Sequence, residues 1–174
     1  MRTADILADA FGRIRETVHQ VVDGLSVEQL AVRLDGEANS IAWLVWHLTR
    51  VQDDHVSDAA GTEQVWTVAG WADRFGLPFD AAATGYGQSS AEVAAVRVPG
   101  EQLLGYHDAV YRRTVQYVEH LTGDDLERIV DESWDPPVSL GVRLVSVIDD
   151  DMQHAGQAAF VRGLVERRGT SSGR

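Results

Sequence analysis

Residues 140–165, LGVRLVSVIDDDMQHAGQAAFVRGLV, decide the fold. The stretch has no proline, and its apolar residues recur at helical spacing, so it predicts one long helix. Asp150 and His154 then lie one turn apart on the same face, and Asp151 and His154 are neighbours at the three-residue spacing. A carboxylate one turn from an imidazole is half of a metal site. The alternative is that the acidic run is only the solvated face of an amphipathic helix.

Three further segments show the same apolar periodicity, and they predict long helices over 3–25, 41–57 and 101–121. Residues 41–48 are apolar on every face, which indicates that this helix is central. Residues 58–88 contain five glycines, one proline and five aromatic residues and are expected to be irregular. The chain is therefore predicted to be all-α, an up-down four-helix bundle with short additional helices and a long aromatic-bearing connection. We expect a single domain over 1–168 and a flexible tail over 169–174.

Composition excludes several classes of function. The 174-residue chain has a formal net charge of −12, which argues against nucleic acid as a partner because phosphate binding needs a basic patch. It has no cysteine, so a protein thiolate is excluded both as metal ligand and as nucleophile. The sequence shows neither a signal-peptide pattern nor an apolar run long enough to cross a membrane. A cytoplasmic location without membrane contact is expected.

His47 lies in the apolar first half of the second long helix. Helical bundles build metal sites in their cores from side chains on facing helices, so His47 is a candidate partner for Asp150 and His154. Two histidines and one carboxylate leave coordination positions open, which a catalytic site needs. The alternative for His47 is a hydrogen-bonded core histidine.

Two motifs carry a resemblance to a known family. Residues 39–51, NSIAWLVWHLTRV, and the pattern Asp150-x-x-x-His154-x-Gly156-Gln157 about 100 residues later resemble the DinB/YfiT-like superfamily of four-helix bundles. The resemblance implies a divalent metal ion held by His47, Asp150 and His154. Most members have a histidine at position 150, whereas the mycothiol-dependent maleylpyruvate isomerases of the superfamily have a carboxylate. We expect zinc, although a carboxylate ligand also suits manganese or iron.

The resemblance also implies an activity. Relatives include S-transferases that use a low-molecular-weight thiol, either bacillithiol or mycothiol, and the lysine-free, arginine-rich composition resembles that of actinobacterial proteins, which favours mycothiol. The expected function is a metal-dependent transfer of this thiol to electrophiles in detoxification. Two alternatives stay open: a metal-dependent hydrolase or isomerase of the same fold, and a non-enzymatic stress-linked bundle protein.

Three residues are candidates for substrate binding. Arg50 and Gln157 each lie three positions after a candidate metal ligand, and His107 lies on the inner face of the third long helix. For Arg50 the alternative is an ion pair with Asp54 at the i, i+4 spacing. For His107 the alternative is packing in the core. The tryptophans at 66, 71 and 134 suggest a possible homodimer contact.

Overall fold

The computed structural model describes residues 2–171, with side chains through Arg168. Its α-helices are α1 Thr3–Val22, α2 Val27–Leu30, α3 Ile41–Ala60, α4 Val65–Val68, α5 Trp71–Phe75, α6 Ser90–Ala95, α7 Gly100–Val118 and α8 Leu140–Ser171. A 3₁₀ helix covers Asp124–Glu127, and strands β1 Ile129–Asp131 and β2 Val138–Ser139 pair antiparallel before α8. The prediction of an all-α bundle is confirmed.

The four long helices α1, α3, α7 and α8 form the bundle, with α1 diagonal to α3. Contacts between side chains show their directions. His47 lies near His154 and His55 near Arg143, so α3 and α8 are antiparallel. Thr49 contacts His107, and Tyr117 donates to the carbonyl of Ala59, so α3 and α7 are parallel.

The bundle that the sequence predicts as up-down therefore runs up-down-down-up in chain order. Helix α1 is antiparallel to α7, since Val22 lies beside Gly100 at the start of α7 whereas Gly12 lies beside Tyr111 further along it. It is parallel to α8, since Arg162 donates to the carbonyl of Gln20 near the end of α1. Residues 61–99 make this order possible because they are long enough to return the chain to the end of the bundle where α3 began.

Capping side chains fix where the helices begin. Ser40 accepts a hydrogen bond from the Trp43 amide at 3.1 Å and starts α3. Ser26 with Gln29, and Ser89 with Glu92, form capping boxes at the starts of α2 and α6. Because Ser40 sets the first turn of α3, it also sets which face of that helix His47 occupies, about two turns later.

Helix α3 is the most enclosed element, as its apolar opening predicts. Every residue from Ile41 to Asp53 is buried, including the polar residues of that segment. Burial of polar groups requires partners. The segment 61–88 supplies them for His47, Arg50 and Asp53, and α7 supplies them for Thr49 and Gln52. That segment is less irregular than expected, since it contains α4 and α5.

The C-terminal helix is longer than predicted. Helix α8 continues to Ser171, into the first half of the predicted tail, and residues 172–174 lie outside the described residues.

Candidate metal centre

His47, Asp150 and His154 form one cluster between α3 and α8. Each offers a ligand atom, and the three atoms lie within 4.8 Å of one another. The arrangement follows from two features of the sequence: Asp150 and His154 share a face of α8, and the antiparallel packing of α3 presents His47 to that face. The structure thus brings together the three residues that the sequence proposes as a site.

The ring of His47 is held in one orientation by the backbone of the segment 84–88. Its Nδ1 lies 2.5 Å from the carbonyl oxygen of Thr84. A carbonyl only accepts, so Nδ1 carries the proton and Nε2 keeps its lone pair. Burial lowers the pKa of His47, which keeps the ring neutral. A neutral imidazole whose second nitrogen donates to a carbonyl is the usual state of a histidine that binds metal.

Gly85 allows this contact because it has no side chain. Its φ of +109° is a conformation that other residues rarely adopt, and a Cβ atom there would collide with Nδ1 of His47. The same Cβ would lie 3.1 Å from the Trp43 ring, which stacks on His47 with a centroid distance of 4.6 Å and an interplanar angle of 18°. Trp43 is anchored in turn, since its Nε1 donates to Oε1 of Gln88 at 2.7 Å.

His154 and Asp150 face each other across a gap that suits a cation. Nε2 of His154 lies 3.6 Å from Oδ1 of Asp150, which is beyond a good hydrogen bond. The interaction with this carboxylate raises the pKa of His154. On the other side of the ring, Nδ1 lies 3.2 Å from Oε1 of Gln157. If Nδ1 donates to that oxygen, Nε2 is free to bind an ion.

The chemistry of the donor set fits a divalent metal ion. Oδ2 of Asp150 is buried and has no hydrogen-bond partner among the described residues, which is costly for a carboxylate unless a cation satisfies it. Two imidazoles and one carboxylate are a common ligand set for catalytic zinc. Residues that hold the second nitrogens of both rings, Thr84 and Gln157, are already in place.

Asp151, the alternative carboxylate, lies outside the cluster. It is 0% exposed, on the face of α8 that points into the bundle core, and neither of its carboxyl oxygens has a described partner. Burial, and secondarily the charge of Asp150, raises the pKa of Asp151 well above its usual range. The structure therefore favours Asp150 over Asp151 as the ligand.

The three residues proposed for substrate binding have different surroundings. Gln157 is next to the cluster and orients His154. His107 is fully buried in the core and interacts with Thr49, its Nδ1 lying 3.0 Å from Oγ1. Arg50 is also fully buried, and it pairs with Asp53 at 3.8 Å rather than with Asp54. The contacts of His107 and Arg50 are thus internal, and neither side chain is open to a substrate in this structure.

Thr84, Gly85 and Tyr86 also belong to the site, although neither of the two sequence motifs includes them. Tyr86 packs edge-on against His47 with a centroid distance of 5.2 Å, and it is 65% exposed. A backbone carbonyl has no signature in the sequence, so Thr84 was not predictable. The run Gly85-Tyr86-Gly87 was the one available signal, because an aromatic residue between two glycines is typical of a shaped binding loop.

A cavity of about 630 Å³ lies further along α3, past the cluster. Asp54, His55 and Asp58 of α3 line it, together with Glu63 and Asp80 of the following segment. None of the three candidate ligands lines the cavity. It provides an acidic space next to the helix that carries His47.

Fold and cluster together define a helical-bundle protein with a candidate two-histidine, one-carboxylate metal centre. Comparison with known families identifies the chain more closely: it belongs to the mycothiol-S-transferase family, whose model matches residues 6–167. The chain is also similar to a crystal structure of a conserved protein from Enterococcus faecalis, with 28% identity and a TM-score of 0.88 over 95% of this chain and 98% of that one. Among curated proteins none matches the chain. No helix within residues 2–171 is long and apolar enough to cross a membrane.

Proposed function

We propose that His47, Asp150 and His154 bind a divalent metal ion, with zinc as the preferred ion, and that the protein is a metal-dependent thiol S-transferase that uses mycothiol. The observation that carries the proposal is the cluster itself, three ligand atoms within 4.8 Å of one another with Oδ2 of Asp150 unpartnered. Membership of the mycothiol-S-transferase family supports the choice of thiol. A role in detoxification and a cytoplasmic location stay predictions, and so does a homodimer.

The reaction needs a thiol from outside, because the chain has no cysteine. A divalent cation held by His47, Asp150 and His154 would favour the thiolate form of the bound thiol, and the thiol proton would pass to solvent. The sulfur then forms a bond to the electrophilic carbon while the bond from that carbon to its leaving group, or to the oxygen of an epoxide, breaks. The work of the protein is to hold His47 neutral, to supply the negative charge of Asp150, and to fix both rings.

Tyr86 is the side chain best placed to contact the electrophile. It is exposed beside His47, and its hydroxyl makes no hydrogen bond with the described residues. Partial burial, and secondarily the nearby carboxylates, raise the pKa of Tyr86, so the hydroxyl stays protonated at neutral pH and can donate. Of the residues that the sequence suggests for substrate contacts, we retain Gln157, and we assign to Tyr86 the contacts suggested for Arg50 and His107, which are fully buried.

The metal is tested by elemental analysis of the purified, untagged protein and its variants. We expect about one equivalent of divalent metal in the wild type and its loss in His47→Gln and His154→Gln, because two ligands hold the ion less tightly than three. The matched control is His120→Gln, since His120 is exposed and bonds only to the Gln116 carbonyl. A wild type that takes up no metal after reloading would contradict the site.

The activity is tested on the metal-loaded protein with mycothiol and chlorodinitrobenzene. We expect a rate above the metal-free control that depends on the thiol and that His154→Gln abolishes. If the protein binds metal but shows no thiol-dependent rate with this or with a bimane electrophile, the transferase assignment fails. Hydrolysis of esters or amides without thiol would then favour the hydrolase.

A further inference from the structure

Arg50 is a fully buried arginine whose hydrogen bonds all stay inside the protein. It is 0% exposed, and its NH1 donates to Oε1 of Gln64 at 2.7 Å, with a longer contact to the hydroxyl of Tyr106. The guanidinium also lies over the Trp66 ring, 5.1 Å from its centroid. Burial of a charge at this depth is costly, so its partners indicate what the charge is used for.

Two of those partners are backbone carbonyls of the segment that leads to the site. Nε of Arg50 donates to the carbonyl of Ala83 at 3.1 Å, and NH2 lies 3.4 Å from the carbonyl of Ala81. The next carbonyl after Ala83 is that of Thr84, which accepts from His47. Arg50, which binds this segment, and His47, which the segment orients, therefore lie three residues apart on α3.

The segment has little other support at this point. Asp80 accepts from the Ala82 amide, and the Ala83 amide bonds to the Asp80 carbonyl, which shapes the turn but does not attach it to the bundle. Between residues 80 and 84, the hydrogen bonds that reach α3 are those of Arg50 and His47. If the bonds from Arg50 are lost, residues 80–83 keep no described hydrogen bond to α3. The nearest upstream contact with that helix is then Phe79 against Trp46, five residues before Thr84.

Asp53, the charged partner of Arg50, supports a different element. Its two oxygens accept from the amides of Val65 and Trp66 and from the hydroxyl of Tyr106, all within 2.9 Å. Asp53 therefore holds the start of α4, whereas Arg50 holds residues 81–83. Because Asp53 keeps these three donors, loss of Arg50 does not leave a carboxylate without partners.

We propose that Arg50 is a positioning residue for the metal centre: through residues 81–84 it fixes the orientation of the His47 ring and keeps the proton on Nδ1, so that Nε2 faces Asp150 and His154. Arg50 is not a catalytic residue, because it contacts neither the three candidate ligands nor the open space beside them. Its relevance to metal binding rests on the function proposed above. The tautomer and orientation of His47 are properties of the metal-free protein and do not depend on that function.

The first readout is the tautomer of His47 in metal-free protein, from long-range ¹H–¹⁵N spectra of the histidine rings, with the signal assigned by its loss in His47→Gln. In the wild type we expect the Nδ1–H form alone. In Arg50→Gln we expect a mixture of the two neutral forms, and in Arg50→Lys a smaller shift, because lysine can donate to one of the two carbonyls. The second readout is zinc affinity by chelator competition, which we expect to fall about 10- to 100-fold in Arg50→Gln, as is typical when a group that orients a ligand is lost.

Arg33 provides a matched control. It also donates to backbone carbonyls, those of Gly36 and Ala38 in the loop before α3 and that of Ser90 at the start of α6, but these residues make no described contact with His47. Arg33→Gln should lower the thermal midpoint while leaving the tautomer and the zinc affinity unchanged. A general loss of stability would affect both variants alike, so the contrast between them isolates the positioning role.

The outcomes separate the two proposals. Folded Arg50→Gln with the wild-type tautomer overturns the positioning role, whatever the metal content. If Arg50→Gln does not fold, Arg50→Lys decides in the same way, by a shifted or an unchanged tautomer. A shifted tautomer in a protein whose wild type binds no zinc supports the positioning of His47 and refutes only the metal centre.

Discussion

His107 makes the fold sensitive to acid. The side chain is 0% exposed, Nδ1 is taken by Thr49, and Nε2 has no partner among the described residues. Burial lowers the pKa of His107 from 6.5 to about 4. Below pH 6.5 the unfolded chain binds a proton that the folded protein does not accept until about pH 4, so stability falls as the pH decreases through this range.

The size of the effect follows from the two pKa values. The full difference between 6.5 and about 4 corresponds to about 3 kcal/mol, reached once the pH is below both. At pH 5, where the unfolded histidine is almost wholly protonated and the folded one is not, the loss relative to pH 7.5 is about 2 kcal/mol. This is a large part of the ~5–15 kcal/mol that a domain has in total.

The assay is urea unfolding of metal-free wild type and His107→Gln, in EDTA, at pH 7.5 and at pH 5. Glutamine does not titrate and keeps a polar group beside Thr49, so the background of other titrating groups is common to both proteins. We expect the free energy of unfolding to fall by about 2 kcal/mol more in the wild type than in the variant. His120→Gln, an exposed histidine, should behave like the wild type. Equal losses in wild type and His107→Gln would refute the assignment of this acid sensitivity to His107.

Three further changes give distinct results. Gly85→Ala places a Cβ against Nδ1 of His47 at a positive φ, so we expect ~1–3 kcal/mol of destabilisation and weaker zinc binding. Chelator competition measures the affinity, and an unchanged value would contradict the close approach of Gly85 to His47. Asp151→Asn keeps the shape of a buried carboxyl group that has no described partner, and it removes the ionisation of that group. Calorimetry at pH 8 should therefore show a thermal midpoint higher by a few degrees, and a lower midpoint would show that Asp151 has an unrecognised partner. The free energy of unfolding of the wild type should be about 2.7 kcal/mol lower without metal than with free zinc at 100 times its Kd. His154→Gln should show little difference between the two conditions, and an equal difference in both proteins would place the ion elsewhere.

Much of the fold was predictable because local rules and packing agree. Helical periodicity gave the four long helices, and serine caps gave the starts of α2, α3 and α6. The pairing of Asp150 with His154 follows from helix geometry alone. The addition of His47 required the bundle, since His47 lies about 100 residues before Asp150 and is brought to it only by the packing of α3 against α8.

The rest depends on backbone positions that residue types do not encode. Arg50 is followed by two aspartates, and the i, i+4 rule selects Asp54, whereas burial brings it to Asp53. The connection 61–99 is long enough for α7 to run either parallel or antiparallel to α3. The sequence therefore predicts the helices but does not fix their relative directions. The Thr84 carbonyl that orients His47 cannot be predicted from the sequence, because every residue has a backbone carbonyl and only the fold brings this one to His47.

The three consecutive aspartates of α8 show how little residue type decides by itself. Successive residues on a helix are rotated by about 100°, so the three carboxyl groups point to three environments. Asp149 faces solvent and accepts from Gln153, Asp150 faces the histidines, and Asp151 faces the core. A rotation of α8 by one residue would turn Asp151 toward His47 and would carry Asp150 and His154 away from it. The apolar residues Leu144, Val147 and Ala158, buried on the same face as Asp151, resist that rotation. The hydrophobic core of the bundle therefore selects which carboxylate belongs to the candidate metal centre.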